Sequence, residues 1–197
     1  MGEVTMTVPN DVELTAAGLL LRPWPEQGTP ALLDDLRIAL SDPESNRWNP
    51  VGFLEPPDDE QLNAWLGRLT AGRASGSIAG WMVLDPADGR LLGNVTVRNI
   101  TPKIGTCQVG YWTMPAARGR GVASRALAAA TGWAFGQAGQ HRVELGHAVG
   151  HTASCRIAER TGYRLEGVLR EALPDTYGHR HDLHLHARLA TDPVFTP

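Results

Sequence analysis

Cysteine is nearly absent from this chain: Cys107 and Cys155 are the only two among 197 residues. With so few thiols, no apolar run long enough to span a bilayer and no secretory pattern at the N-terminus, the expected setting is a reducing cytoplasm without a membrane partner. Both cysteines read as small buried hydrophobes. A basic excess is also lacking. The formal charge is −3 with 20% charged residues, which argues against a nucleic-acid partner, because gripping a phosphate backbone requires surplus cations. Glycine and proline, 22 and 14 residues, stay below the level that signals disorder. No internal repeat or linker interrupts the chain. One domain over residues 14–190 is expected, with a loose lead-in at 1–13 and a tail at 191–197.

What the chain does have is a strand-like run, Val109 to Met114, stopped by Pro115. From Gly121 an Ala-, Leu- and Arg-rich segment suited to a helix follows. Between them lie Arg118, Gly119, Arg120 and Gly121. A glycine turn that opens a helix aims several backbone N–H groups one way, at the positive end of the helix dipole, and so binds phosphate without a metal. Arginine adds charge and a planar fork of donors. The loop is not of the nucleotide-triphosphate type, since no Gly-Lys-Ser/Thr follows. It is not a dinucleotide fingerprint either, since Ser124 stands where the third glycine would be.

Arg118-Gly119-Arg120-Gly121-Val122-Ala123 resembles the acyl-CoA loop of the GCN5-related N-acetyltransferases (GNAT), whose pattern is Gln/Arg-x-x-Gly-x-Gly/Ala. The preceding Gly110 to Pro115 and the later run from Thr161 to Arg170 resemble the ribosomal-protein branch of that superfamily, the RimJ/RimL type. The likeness extends from about Leu14 to about Leu189. It implies an α+β fold: a mixed, mostly antiparallel sheet of six or seven strands, helices on both faces, and a splay in the middle that receives the pantetheine arm. It further implies acetyl-CoA, or another acyl-CoA, as co-substrate, with no metal. The acceptor is a primary amine on a protein N-terminus or a small molecule, and the protein a monomer or homodimer.

Read in order, Leu14–Trp24 is expected as a strand and Gln27–Leu40 as a helix. Residues 41–57 form a loop, and a second helix capped by Asp58 runs to about Ala71. Ser77–Leu84, Arg90–Ile100 and Gly105–Thr113 form an antiparallel meander. Helix Val122–Gln137 then crosses to strand Arg142–Val149, which implies a parallel neighbour. Helix Thr152–Arg160 ends at Gly162, and Tyr163–Leu173 and His181–Leu189 close the sheet.

The resemblance assigns chemistry to particular positions. Thr113 and Met114 offer backbone groups to the pantetheine and the thioester, and residues 118–123 hold the diphosphate. Ser154, in His151-Thr152-Ala153-Ser154, matches the family's Asn-x-x-Ser and is expected to protonate the leaving thiolate. His151 stands where the family has asparagine, which alters one contact to the cofactor arm. Ala158 stands where many relatives carry a tyrosine acid. Glu166 matches a glutamate proposed to relay the amine's proton. Its alternative reading is an ion pair with Arg164 or Arg170, and His147 and His151 are rival bases. Trp48 and Phe53 are expected to wall the acceptor site or to plug their loop onto the core.

Four of the seven histidines fall between Gly178 and His186. On a strand, His179 and His181 share one face while His184 and His186 share the other; one such pair is a possible metal half-site, but the split prevents a four-ligand cluster, so no metal is expected. Two other functions fit part of the pattern: a non-catalytic acyl-CoA sensor, and a hydrolase with Cys155 as nucleophile.

Overall fold

A computed structural model describes residues 11–49 and 52–193. Residues 1–10 of the expected lead-in and 194–197 of the expected tail lie outside them. The strand expected at Leu14–Trp24 is a hairpin, β1 (Leu14–Ala16) and β2 (Leu19–Pro23). It turns through Ala17 and Gly18, both at positive φ (34° and 79°), as a two-residue hairpin requires. Helix α1 (Pro30–Leu40) starts behind Thr29, whose side chain accepts from the Leu32 amide, with Pro30 at the first helical position. The loop that follows contains one further turn of helix, α2 (Pro43–Asn46), capped by Asp42 on the Ser45 amide. Helix α3 (Asp59–Ala74) opens with a reciprocal capping box between Asp58 and Gln61.

The meander is β3 (Ile78–Leu84), β4 (Leu91–Thr101) and β5 (Thr106–Thr113). Helix α4 (Val122–Gly136) crosses to β6 (Arg142–Ala148), α5 (Thr152–Arg160) follows, and β7 (Arg164–Pro174) and β8 (Arg180–Leu189) complete the chain. Among the described residues the sheet has eight strands, not six or seven, in the order β1-β2-β3-β4-β5-β6-β8-β7. The extra strand is the first hairpin. Among the described residues only β5 and β6 pair in parallel, as a strand–helix–strand crossover demands.

Large aromatics clamp helices to both faces. Trp24 meets Trp65 of α3 edge-on at 5.1 Å, and its indole N–H donates to Asn94 Oδ1 at 2.9 Å. On the opposite face Trp81, fully buried, meets Trp133 of α4 at 5.0 Å. Such edge contacts follow the ring quadrupole, and truncating either indole would cost about 3–5 kcal/mol.

The parallel pairing of β5 with β6 ends at Val109 opposite Leu145. Beyond that point β5 stays with β4 as far as Thr113, while β6 stays with β8 as far as Ala148. The two strands therefore diverge, and a cleft opens between their C-terminal ends. A Cβ placed on Gly110, at the point of divergence, would meet nothing within 4 Å.

Candidate active site

A cavity of about 410 Å³ opens at this divergence, lined by the end of β5, the turn before α4, the first turns of α4 and α5, and α2. The turn after β5 carries two glycines at positive φ, Gly119 (74°) and Gly121 (70°). Gly121 is the residue before α4 and supplies no side-chain cap. The first intrahelical bond there is Arg125 N–H to the Gly121 carbonyl at 3.2 Å. The amides of Val122, Ala123 and Ser124 thus lack helical acceptors and stand at the positive end of a fifteen-residue helix. Gly119, Gly121, Val122, Ala123 and Ser124 all line the cavity. A ring of bare amides beside a roomy cleft fits a diphosphate.

The two loop arginines do different things. Arg118 lines the cavity, but its guanidinium is bound to the Asp42 carboxylate and to Ser45 Oγ at 3.1 Å, tying the loop to α2. Arg120 is exposed and outside the lining; its carbonyl accepts from Arg125 at 3.1 Å. Arg156 and Arg160, one helical turn apart on α5, supply cations to the lining instead.

At the end of β5, Met114 does not offer its amide as expected, because that N–H donates to the Leu92 carbonyl at 2.9 Å. Strand alternation then turns the Tyr111 and Thr113 amides toward the other edge, from which β6 has parted. Tyr111 and Thr113 both line the cavity.

Ser154 is 5% exposed and lines the cavity. It is the third residue of α5, yet no side chain caps that helix. Its Oγ instead lies 3.1 Å from His151 Nδ1. His151 is pushed down to about 4, chiefly by burial and further by His147 and Arg118, so the ring is neutral at physiological pH. Trp48 stacks on it face to face at 5.2 Å and donates from Nε1 to Glu44 at 3.0 Å. Trp48 therefore stands behind His151 and braces it. The Tyr111 hydroxyl is pushed up to about 12, mainly by burial, with Ser154 pulling the other way.

Besides Arg120, four expected site residues are not among those lining the cavity: Met114, Trp48, Phe53 and Glu166. Phe53 packs against the core, with its amide on the Leu40 carbonyl at 2.8 Å and its carbonyl on Asn46 Nδ2 at 2.7 Å. It plugs the loop. Glu166 makes a two-pronged ion pair with Arg142, at 2.8 and 2.5 Å, rather than with Arg164 or Arg170. That guanidinium holds its carboxyl below the usual range, and Glu166 is not among the residues lining the cavity. The carboxylate that does line it is Glu44.

Sequence reading missed Tyr111, Glu44, Arg156 and Arg160. Tyr111 had a signal: parity along β5 puts it on the face of Val109, toward α4. Glu44 sits in a one-turn helix whose Asp42-Pro43 start is a capping signature.

The description "Acetyltransferase (GNAT) domain" matches residues 18–164. The chain belongs to the GNAT acetyltransferase family. Two curated relatives are similar over part of this GNAT chain. The "Ribosomal-protein-serine acetyltransferase" of Escherichia coli is 32% identical over 105 residues, 52% of this chain and 56% of that one. The "Probable N-acetyltransferase YjcK" of Bacillus subtilis is 29% identical over 90 residues, 45% and 50% of the two chains. The chain thus spans about half the length of the curated relatives it matches. Among solved structures, Mycobacterium smegmatis RimJ in complex with CoA-disulfide superimposes with a TM-score of 0.78 at 24% identity, covering 91% of this chain and 86% of that one. A GNAT-family acetyltransferase from Bacillus anthracis gives 0.77 at 19% identity, covering 92% and 100%. These structures share the GNAT fold. Among the described residues, no helix is long and apolar enough to cross a membrane.

Proposed function

We propose that the protein transfers an acyl group, most simply acetyl, from coenzyme A directly to a primary amine. The observation that carries this reading is the set of uncapped amides at the start of α4 opening into the same cavity as Ser154 and Tyr111. The acyl thioester, when bound, supplies an electrophilic carbonyl. Residues 119 and 121–124 would hold its diphosphate, and Arg156 and Arg160 add positive charge. The Tyr111 and Thr113 amides, turned into the cleft, are donors for negative charge developing on the carbonyl oxygen. One well-placed donor of this kind contributes about 3–4 kcal/mol.

Protons are handled by hydroxyls. Ser154 Oγ–H and the buried Tyr111 phenol are both weak acids that suit protonation of the departing sulfur. Tyr111, from the sheet, fills the part that Ala158 leaves open on α5. The amine's proton needs no strong base, because an α-amine titrates only slightly above neutrality and water suffices. Neutral His151 is too weakly basic to take that proton, and Glu166 is occupied by Arg142. Glu44, at the rim, suits holding the acceptor's ammonium before it loses its proton.

A protein N-terminus is the acceptor class favoured by the partial likeness to the ribosomal-protein-serine acetyltransferase. The test is release of free CoA from acetyl-CoA with a panel of N-terminal peptides, amino acids and small amines. Turnover with peptides bearing a free α-amine, lost when that amine is blocked, is the expected result. Tight CoA binding with no turnover on any amine would overturn it.

A further inference from the structure

On the face of the sheet that carries α4 and α5, β6 and β8 set three histidines together. His147 lies directly opposite His184 in the antiparallel register, and His186, two residues on, points to the same side. Their rings approach at 5.1–5.9 Å between centroids. Cys155 of α5 closes over them, and one ligand atom from each of the four lies within 4.8 Å of all the others. The segment 178–186 alone could not build this, since it places only His184 and His186 on the face; the fold brings the other two from β6 and α5.

We propose that His147, His184, His186 and Cys155 form a binding site for a borderline-soft divalent transition ion, of which Zn²⁺ is the natural occupant. Three imidazoles and a thiol are the donor set such an ion prefers. The distances agree. Two nitrogens bound tetrahedrally to zinc stand about 3.3 Å apart, and Nε2 of His147 and Nε2 of His186 are 3.2 Å apart. His147 is already oriented: its Nδ1 lies 2.8 Å from the Ala148 carbonyl, so the proton belongs on Nδ1 and the Nε2 lone pair faces the cluster. His147 and His186 are 4% and 1% exposed. His184 Nδ1 is buried without a hydrogen-bond partner among the described residues.

Binding needs few changes. Without metal, one Nε2 proton shared by His147 and His186 makes their contact a hydrogen bond; with metal, His186 carries its proton on Nδ1. The Cys155 thiol, now 3.7 Å from Glu159 Oε1, gives its proton to solvent as the sulfur–metal bond forms. The ion would pin the start of α5, and with it Ser154, to β6 and β8. It takes no part in acyl transfer.

The experiment is titration of metal-free full-length protein with Co²⁺, followed by competition with Zn²⁺. One equivalent should give d–d bands of four-coordinate intensity and a thiolate-to-cobalt charge-transfer band, both bleached by Zn²⁺. Cys155→Ser should abolish the charge-transfer band, and His184→Ala should weaken binding at least tenfold. Both residues are only partly buried, so these variants should keep the fold, checked by circular dichroism. The double variant His179→Ala/His181→Ala, one residue just before β8 and one on its other parity, should bind as wild type does. Absence of saturable Co²⁺ binding, or binding lost in the double variant and unchanged in Cys155→Ser and His184→Ala, would overturn the proposal.

Discussion

Ser154 Oγ and His151 Nδ1 are 3.1 Å apart at the floor of the cleft, and the imidazole in that pair is neutral because it is buried. A neutral imidazole positions the serine hydroxyl without taking its proton. Ser154 should therefore act as a proton source for the leaving sulfur, not as a nucleophile. Ser154→Ala should lower kcat about 10²-fold, the usual scale for a positioned acid, with little change in affinity for CoA. Tyr111→Phe should lower kcat as well, and the double variant should lose less than the product of the two single losses, because both donors serve one atom. Free-CoA release and calorimetric binding check this. A covalent acyl-enzyme that Cys155→Ala abolishes would contradict it.

The depressed imidazoles also set how stability depends on pH. His151 titrates near 4 in the folded chain against 6.5 when unfolded, and His147 and His186 are shifted the same way. Between these values the unfolded chain binds more protons, so stability rises with pH across that window and falls as pH drops through it. The His151 contribution is about 3 kcal/mol, fully lost below pH 4. Urea midpoints from pH 4 to 7 should fall steeply toward acid. His151→Asn should flatten the slope without abolishing it, since His147 and His186 remain. Equal slopes would contradict the assignment.

Glu44 and Glu166 separate two readings of the same chemistry. Glu166→Gln removes one partner of an ion pair with Arg142 that is partly exposed, which is worth about 1 kcal/mol or less. It should leave both kcat and the pH profile of kcat unchanged. Glu44→Gln should raise KM for cationic acceptors several-fold, with kcat nearly constant, because a contact made equally to bound and reacting amine affects binding alone. Steady-state kinetics with one peptide at several pH values decides between them. A kcat that collapses in Glu166→Gln would return the proton relay to that residue.

Which parts of this were legible in the sequence follows from the range of each signal. The helices were readable because their end signals are local: Asp58 with Gln61, Gly121 before Val122, and Gly162 just past Arg160. The turn at Ala17 was hidden, since alanine seldom adopts positive φ and so gives no turn signal. The partner of Glu166 was hidden for a different reason. Sequence neighbours Arg164 and Arg170 looked available, but Arg142 arrives from β6, twenty-four residues away. The histidine cluster fails the same test, since parity along β8 correctly divides its histidines while saying nothing of His147 or Cys155.

Two glycines, one just before α4 and one inside it, give the final test, because they should respond oppositely to the same methyl group. Gly132 lies inside the helix with open space around an added Cβ and without positive φ. Gly132→Ala should stabilise by about 0.5–1 kcal/mol through helix propensity alone. Gly121 sits at φ +70°, where a Cβ costs about 1–2 kcal/mol. Relief of that strain would rotate the turn and withdraw the amides that follow it. Gly121→Ala should therefore lower the unfolding midpoint and weaken CoA binding about tenfold or more, as expected for losing one charge-assisted contact to phosphate. Gly132→Ala should leave CoA binding unchanged. If Gly121→Ala bound CoA as the wild type does, the start of α4 would not be the diphosphate site.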